Sequence, residues 1–211
     1  SYRLMISDGT TRGTRAVEEP GLSSRPAEMV RTDNLLYISS SPNTGDYPQL
    51  YRTDGTTAGT FSLGRMHNNG EMKAIGNKLF YAAHEPYTSA ALYVREGTRE
   101  TTRRLVGGSV AGPTAFLLTP VNGWLYYYNE YGGELWRTNG TPGDEVLIGH
   151  SSNLVTIDDV NGKAFMLALP NEMTFELWRT GPDGPPERLK TIDTNYYLDL
   201  YTPQPNISTA S

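Results

Sequence analysis

Four segments of this sequence place an aromatic side chain beside polar or acidic groups, a combination that can bind a sugar ring. An aromatic face stacks on the C–H groups of the sugar, and nearby amides and carboxylates hydrogen-bond to its hydroxyl groups. The residues that we predict to bind a ligand in this way are Tyr47, His84, Glu85, Tyr87, Asn129, Glu130, Tyr131, Glu172 and Phe175. The alternative is that these segments are ordinary polar turns, each anchored by one aromatic residue.

The three histidines, His67, His84 and His150, are predicted to lie in loops on the same side of the molecule as these segments. Histidine is the commonest metal ligand and the side chain that exchanges protons near neutral pH. However, the sequence has no HxH or HExxH spacing, and the three residues fall in different repeats. We therefore expect exposed loop residues rather than a metal site, and we predict no cofactor.

A second set of residues that could do chemistry is acidic. Four acidic residues fall on strands that we predict to line a central channel, and these are Glu28, Glu71, Asp158 and Asp199. Glycosidases built around such a channel hold their catalytic carboxylates there. The four residues form no recognisable catalytic signature, and Ser-His-Asp and phosphate-binding motifs are absent. A glycosidase-like hydrolase is therefore the alternative function, and no catalytic residue is predicted.

Composition excludes several other classes of protein. The chain has 0 cysteines, which rules out disulfides, thiolate catalysis and Cys-ligated zinc. Its net charge of −5 disfavours nucleic acid as a partner, because an acidic surface repels phosphate backbones. No apolar stretch is long enough for a transmembrane segment. No signal peptide is visible, and the strand-like start at Ser1 fits a mature or trimmed form.

The candidate residues are positioned by a repeat of about 42 residues, the strongest signal in the sequence. One half of the repeat is a strand followed by a glycine-containing turn, and its copies begin at Ile6, Leu50, Leu92, Leu135 and Leu177. The other half is an apolar strand, a polar turn and an aromatic strand, with copies at Met29–Ser40, Met72–Ala83, Phe116–Tyr128 and Val155–Ala168. Each repeat therefore contains two hairpins, or four antiparallel strands, which we call A to D.

Four strands in about 42 residues are typical of a β-propeller blade. The chain begins with strands C and D alone, and its end, Tyr197–Ser211, matches strands A and B. We therefore predict an all-β, five-bladed propeller in which the two ends complete one blade and close the ring. The predicted single domain covers residues 1–211, with blades at 1–20 together with 194–211, 28–66, 71–107, 115–150 and 154–193. The alternatives are an open β-solenoid and a fragment of a larger ring.

A sequence motif recurs in the turn between strands C and D. Leu50–Thr60 reads LYRTDGTTAGT, Ser7–Thr14 reads SDGTTRGT, and Glu134–Thr141 reads ELWRTNGT. These segments resemble the bacterial ELWxxDGTxxGT-repeat proteins, which look like secreted or surface propellers. The resemblance implies an extracellular or cell-surface location and implies no activity. In size and blade number the chain is also similar to five-bladed lectins of the tachylectin type, an analogy of architecture only.

The motif residues themselves are predicted to be structural. An aspartate in a turn accepts backbone N–H groups two residues on, and glycine takes the positive φ. The alternative is a Ca²⁺ loop, but one carboxylate per turn is too few for a calcium cage. An aromatic residue at the centre of strand C is predicted to fill the core between neighbouring blades, and the four such residues are Tyr51, Tyr93, Trp136 and Trp178. The alternative is that these rings stack on a sugar.

Together these observations predict a secreted or surface-associated binding module of lectin type. Several weak and similar sites on the B–C and D–A loops would bind a glycan or another cell-surface macromolecule with avidity. The alternatives are the hydrolase described above and a purely structural or protein-interaction propeller of a surface assembly.

Overall fold

The described part of the chain is built from β-strands alone. It contains no helix that could span a membrane. The computed structural model of the 211-residue chain describes residues 3–17, 26–40, 48–66, 71–84, 90–98, 100–107, 115–129, 132–151, 153–171, 173–181 and 184–193.

Within these ranges, eighteen strands form one two-stranded sheet and four four-stranded sheets, in each of which strands adjacent in the chain pair antiparallel. The N-terminal sheet contains β1 (Leu4–Ile6) and β2 (Arg15–Val17). Sheet one contains β3 (Pro26–Arg31), β4 (Leu36–Ser40), β5 (Gln49–Thr53) and β6 (Phe61–Arg65). Sheet two contains β7 (Met72–Ile75), β8 (Lys78–His84), β9 (Ala90–Arg95) and β10 (Arg103–Gly107).

Sheets three and four repeat this order. Sheet three contains β11 (Ala115–Val121), β12 (Trp124–Asn129), β13 (Glu134–Thr138) and β14 (Val146–His150). Sheet four contains β15 (Leu154–Val160), β16 (Lys163–Asn171), β17 (Thr174–Thr180) and β18 (Glu187–Asp193). The predicted all-β class and the four antiparallel strands per repeat are thus confirmed for these four sheets.

The hairpins between strands A and B are set by their turn residues. Asn122 and Gly123 have φ values of 47° and 80°, and Asn161 and Gly162 have 55° and 74°. Two consecutive positive φ values are what a tight hairpin turn of this kind requires, and asparagine and glycine tolerate them best. The polar turns predicted between the apolar and aromatic strands are therefore confirmed as tight hairpin turns at both positions.

Consecutive sheets pack face to face, and their first strands, β3, β7, β11 and β15, contact one another in that order. Buried side chains form a separate core at each contact between sheets. A smaller core joins the N-terminal sheet to sheet one, where Leu4 packs against Ile38 and Tyr51. This succession of stacked sheets is what places the end of one strand D beside the end of the next strand B.

The aromatic residue of each strand C packs against the sheet that precedes its own, as predicted. Tyr51 belongs to the core shared with the N-terminal sheet, and Tyr93 to the core shared with sheet one. Trp136 and Trp178 face sheets two and three in the same way, but both are only half-buried. The two tryptophans therefore remain partly open to other groups.

The predicted closure of the ring depends on residues 194–211, which lie outside the described residues. The N-terminal sheet shows the two strands, C and D, that the sequence predicted for this end of the chain. Closure therefore stays a prediction, to which we return below.

Candidate functional site

Most of the loop residues predicted to bind a ligand lie outside the described residues. These are Tyr47, Glu85, Tyr87, Glu130, Tyr131 and Glu172. His84 ends β8, and only its backbone is described. His67 is also outside the described residues, whereas His150 is exposed at the end of β14. The described residues contain no group of three or more His, Cys, Asp or Glu side chains that could hold a metal ion.

The two remaining loop candidates belong to the scaffold. Asn129 is 6% exposed, and its Nδ2 donates to Glu134 Oε2 at 2.9 Å. Its Oδ1 accepts the Gly132 N–H at 3.4 Å, so this side chain ties strand B to strand C across the hairpin. Phe175 lies within β17 rather than in a loop, and it is half-buried. The predicted role of both residues in ligand binding stays a prediction.

The acidic residues of the innermost strands join neighbouring sheets. Glu28 Oε2 accepts the Met72 N–H at 3.2 Å, and Glu71 Oε2 accepts the Leu118 N–H at 2.7 Å. Burial raises the pKa of Glu28, and Lys73 partly opposes this effect. Each carboxylate thus satisfies a backbone donor of the next sheet. Asp158 accepts the Thr156 hydroxyl two residues away, and Asp199 lies outside the described residues.

The turn between strands C and D is held by a local hydrogen-bond network, as its sequence predicted. In sheet one, Asp54 Oδ1 accepts the Thr56 N–H at 2.9 Å and the Thr56 hydroxyl at 2.7 Å. The Thr56 hydroxyl in turn accepts the Gly59 N–H at 2.9 Å. The same bonds recur in the N-terminal sheet from Asp8 to Thr10 and Gly13.

The second glycine of the motif is required for a reason that the sequence did not show. A Cβ atom added at Gly59 would lie 2.0 Å from the Asp54 carboxylate, and one at Gly13 would lie 2.0 Å from that of Asp8. Where the aspartate is replaced, the glycine is replaced too. In sheet three, Asn139 takes the aspartate position, and Asp144 takes the glycine position and accepts the Asn139 N–H at 2.8 Å.

A cleft of about 360 Å³ opens on the predicted binding face between sheets three and four. It lies where strand D of sheet three ends beside the end of strand B of sheet four. Its apolar wall is formed by Leu135, Leu154, Met166, Ala168 and Trp178, all of which belong to the core between these two sheets. Its polar groups come from His150, Ser151 and Glu176, and Pro170 and Pro186 complete the lining.

Both oxygens of the carboxylate in the cleft already accept a hydrogen bond. Glu176 Oε2 accepts the Trp178 indole N–H at 3.1 Å, and Glu176 Oε1 accepts from Arg188 Nη1 at 2.6 Å. The Arg188 guanidinium also lies 5.9 Å from the centroid of the Trp178 ring. In sheet three the Glu134 carboxylate accepts the Trp136 indole N–H in the same way, at 3.0 Å. In both Glu-Leu-Trp segments, the glutamate therefore holds the tryptophan two residues later by a hydrogen bond to its indole N–H.

The contact between sheets one and two has the same strand pairing as the contact between sheets three and four, with equivalent residues 85 positions earlier in the chain. Tyr81 pairs with Tyr93 as Met166 pairs with Trp178. Leu50 likewise pairs with Gly64 as Leu135 pairs with Gly149. We call the contact of sheets one and two the filled interface, and the contact of sheets three and four the open interface.

The two interfaces carry different side chains at equivalent backbone positions. The Met66 N–H donates to the Pro48 carbonyl at 2.7 Å, and the Ser151 N–H donates to the Gly133 carbonyl at 2.6 Å. Met66 is 2% exposed and packs in the core with Tyr81, whose ring stacks on that of Tyr93 with centroids 5.7 Å apart. At the open interface, serine replaces this methionine and methionine replaces this tyrosine. Both replacements, Ser151 and Met166, line the cleft.

Sequence reasoning missed this cleft because it treated all four strand C aromatics as equivalent core residues. The departures that mark it are Ser151 at the position of Met66, Met166 at that of Tyr81, and Glu176 at that of Ala91. An alignment of the repeats across each sheet contact, rather than along each strand, would have shown them.

Comparison with solved structures shows the fold as a β-propeller. The chain is similar to a prolyl endopeptidase structure, with a TM-score of 0.56 and 13% identity, over 87% of this chain and 29% of that one. It is similar to TolB from Acinetobacter baumannii, with a TM-score of 0.53 and 16% identity, over 90% and 49%. It is also similar to a chain of a nidogen–laminin complex, with a TM-score of 0.52 and 10% identity, over 85% and 67%.

These likenesses establish architecture and carry no activity to this chain, because one propeller fold serves many functions. The chain spans less than half the length of the endopeptidase and TolB chains that it matches. A comparison with known protein families finds none that matches this sequence, and a comparison with curated proteins finds no match either. The function must therefore be argued from the cleft.

Proposed function

We propose that the chain is a non-catalytic binding module that captures a partner protein at the cleft of the open interface. The observation that carries this proposal is the cleft itself, an apolar pocket at a position that the same molecule fills elsewhere with Met66 and Tyr81. Its volume of about 360 Å³ is at the lower end of the range for ligand pockets, roughly 300–1,000 Å³. A pocket of this size suits one anchoring side chain of a larger partner.

The lining favours a protein partner over a glycan. A sugar ring carries several hydroxyl groups, and each one buried without a partner costs free energy. The Glu176 carboxylate, the acidic acceptor of the cleft, is engaged by Trp178 and Arg188. The wall is formed mainly by aliphatic, aromatic and proline side chains. The glycan ligand expected from the loops remains a prediction about residues outside the described ranges, and the experiment below includes it.

The five-bladed ring is part of this proposal. Its support is the N-terminal sheet, which has two strands where each of the other four sheets has four, and which packs on sheet one through Leu4. The sequence of residues 194–211 matches the two missing strands. Removing these residues should lower the thermal midpoint of the chain, because the N-terminal sheet would lose its pairing partners. A truncated chain as stable as the full one would contradict closure of the ring.

The extracellular or cell-surface location is also part of the proposal, and its support is the repeat motif.

Selection of ligands by the full chain tests the function. The wild type and a Ser151→Met/Met166→Tyr variant would be screened against a displayed random-peptide library and a glycan array. This variant carries at the open interface the two residues of the filled interface. We expect the wild type to enrich peptides that the variant does not bind. Enrichment of glycans alone, equal peptide binding by both proteins, or no enrichment would overturn the proposal.

The matched control is Met66→Leu in the filled interface. This substitution changes a buried side chain while conserving its approximate volume. It lies away from the cleft, so peptide enrichment should match that of the wild type. A loss of binding in this control would show that any change to the core, rather than filling of the cleft, abolishes capture.

A further inference from the structure

We infer that the cleft of the open interface accepts an aromatic side chain of tyrosine size from the partner protein. This inference rests on the proposed function and names the group that is recognised. The filled interface shows which chemistry the shared backbone accommodates at this place. There, the ring of Tyr81 lies against the ring of Tyr93, with centroids 5.7 Å apart and planes 25° apart.

The open interface keeps one ring of this aromatic pair, and a buried methionine, Met166, replaces the other ring. Trp178 stands where Tyr93 stands, so a large aromatic surface is present on strand C. Met166 stands where Tyr81 stands, so the second ring is missing. Aromatic rings prefer an aromatic neighbour at a separation of roughly 4.5–7 Å. A ring supplied from outside would lie in the cleft against the half-buried Trp178 and give it the aromatic neighbour that Tyr93 has in Tyr81.

The cleft is continuous with an established interface. Leu135, Leu154, Met166, Ala168 and Trp178 line the cleft and also form the core between sheets three and four. An inserted ring would therefore extend an existing core rather than cover an isolated surface patch. Tyrosine and tryptophan are the side chains that most often anchor protein interfaces by filling a pocket of this kind.

The rim provides polar groups suited to the outer end of a tyrosine. His150 is exposed, and Ser151 is half-buried beside it at the mouth of the cleft. The backbone of Ser151 is fixed, because its N–H donates to Gly133 and its carbonyl accepts the Tyr128 hydroxyl at 2.8 Å. A phenol differs from a sugar in that it presents one hydroxyl group at the end of an apolar ring. The apolar ring would lie against the apolar wall of the cleft, and its hydroxyl group would lie at the polar rim.

The three tryptophans allow a direct test by NMR of the ¹⁵N-labelled full chain. Their indole N–H groups should give three signals, which substitution of each tryptophan by phenylalanine would assign. Titration with N-acetyl-L-tyrosinamide should shift the Trp178 signal saturably, with a dissociation constant on the order of 1 mM. The signals of Trp124 and Trp136 should not move. N-acetyl-D-glucosamine at the same concentrations should leave all three unchanged.

Two variants complete the test. Ser151→Met/Met166→Tyr should abolish the Trp178 shift, and Ser151→Met alone serves if the double variant does not fold. An unmoved Trp178 signal, equal movement of all three signals, or movement caused by N-acetyl-D-glucosamine instead would overturn the inference. If displayed peptides bind the wild type selectively but tyrosinamide leaves Trp178 unmoved, the inference fails while the proposed function stands. If no peptide binds selectively, the proposed function fails whatever tyrosinamide does.

Discussion

The filled and the open interface show how one backbone arrangement serves as core in one place and as a candidate site in another. Both have the same strand pairing, and the residue after strand D makes the same backbone hydrogen bond to the turn before strand C. Among the side chains that differ, Ser151 and Met166 are smaller than Met66 and Tyr81 and line the cleft of the open interface. The comparison teaches that a repeat protein can acquire a pocket without any change of scaffold.

The largest expected effect is the opening of the filled interface. Met66→Ser should destabilise the chain by about 2–5 kcal/mol, because it removes a buried side chain and leaves a cavity with a hydroxyl group in it. Denaturant unfolding of the full chain would measure this loss. The matched control is Ser151→Ala at the open interface, which should change stability by no more than about 0.5 kcal/mol. Equal costs at both positions would remove the distinction between the two interfaces.

The next effect concerns the turns between strands C and D in sheets one and three. Gly59→Ala should lower the thermal midpoint by less than Met66→Ser does, because its Cβ displaces the Asp54 carboxylate from its bonds to Thr56. The double replacement Asp54→Asn/Gly59→Asp copies the turn of sheet three, in which Asn139 accepts the Thr141 N–H and Asp144 accepts the Asn139 N–H. It should recover part of the loss. If Gly59→Ala leaves the thermal midpoint unchanged, the proposed steric reason for this glycine is wrong.

A smaller effect of opposite sign is expected when the open interface is filled. Ser151→Met should stabilise the chain by about 0.5–2 kcal/mol, the usual range for a substitution that fills a cavity. Denaturant unfolding would measure the gain, with Ser151→Ala as the control that adds no volume. A destabilised variant would mean that the space is not shaped for the methionine found at position 66.

The smallest effect is a dependence on pH that distinguishes the aspartate turns from the asparagine turn. Hydrogen bonds from Thr56, chiefly from its hydroxyl, lower the pKa of Asp54, and those from Thr10, chiefly from its N–H, lower the pKa of Asp8. A lowered folded-state pKa contributes stability above the unfolded pKa of about 3.9, and this contribution is lost as pH falls through the folded value. Thermal unfolding of an Asp8→Asn/Asp54→Asn variant should therefore depend less on pH below about 4. An unchanged slope would contradict this role.

Local features of the fold could be predicted from the sequence because local physics decides them. The Asn122-Gly123 turn requires two positive φ values, and the Asp54 turn closes on a neighbour two residues away. The role of Tyr93 followed from the recurrence of an aromatic residue at this position in four of the five repeats. By contrast, the cleft depends on Ser151 and Met166 facing each other across two sheets. Periodicity along one strand does not reveal such a pair. The loops that the sequence predicted to bind a ligand lie largely outside the described residues.

The measurement that tests the central claim most directly is a ¹⁹F NMR titration with N-acetyl-4-fluoro-L-phenylalaninamide. This probe has the size of the tyrosine that is present at position 81 and missing at the open interface. The wild type should bind it at one saturable site per chain, and the Ser151→Met/Met166→Tyr variant, confirmed as folded, should not bind it. Equal saturable binding by the two proteins would contradict the account, because the ring would then be held somewhere other than this cleft.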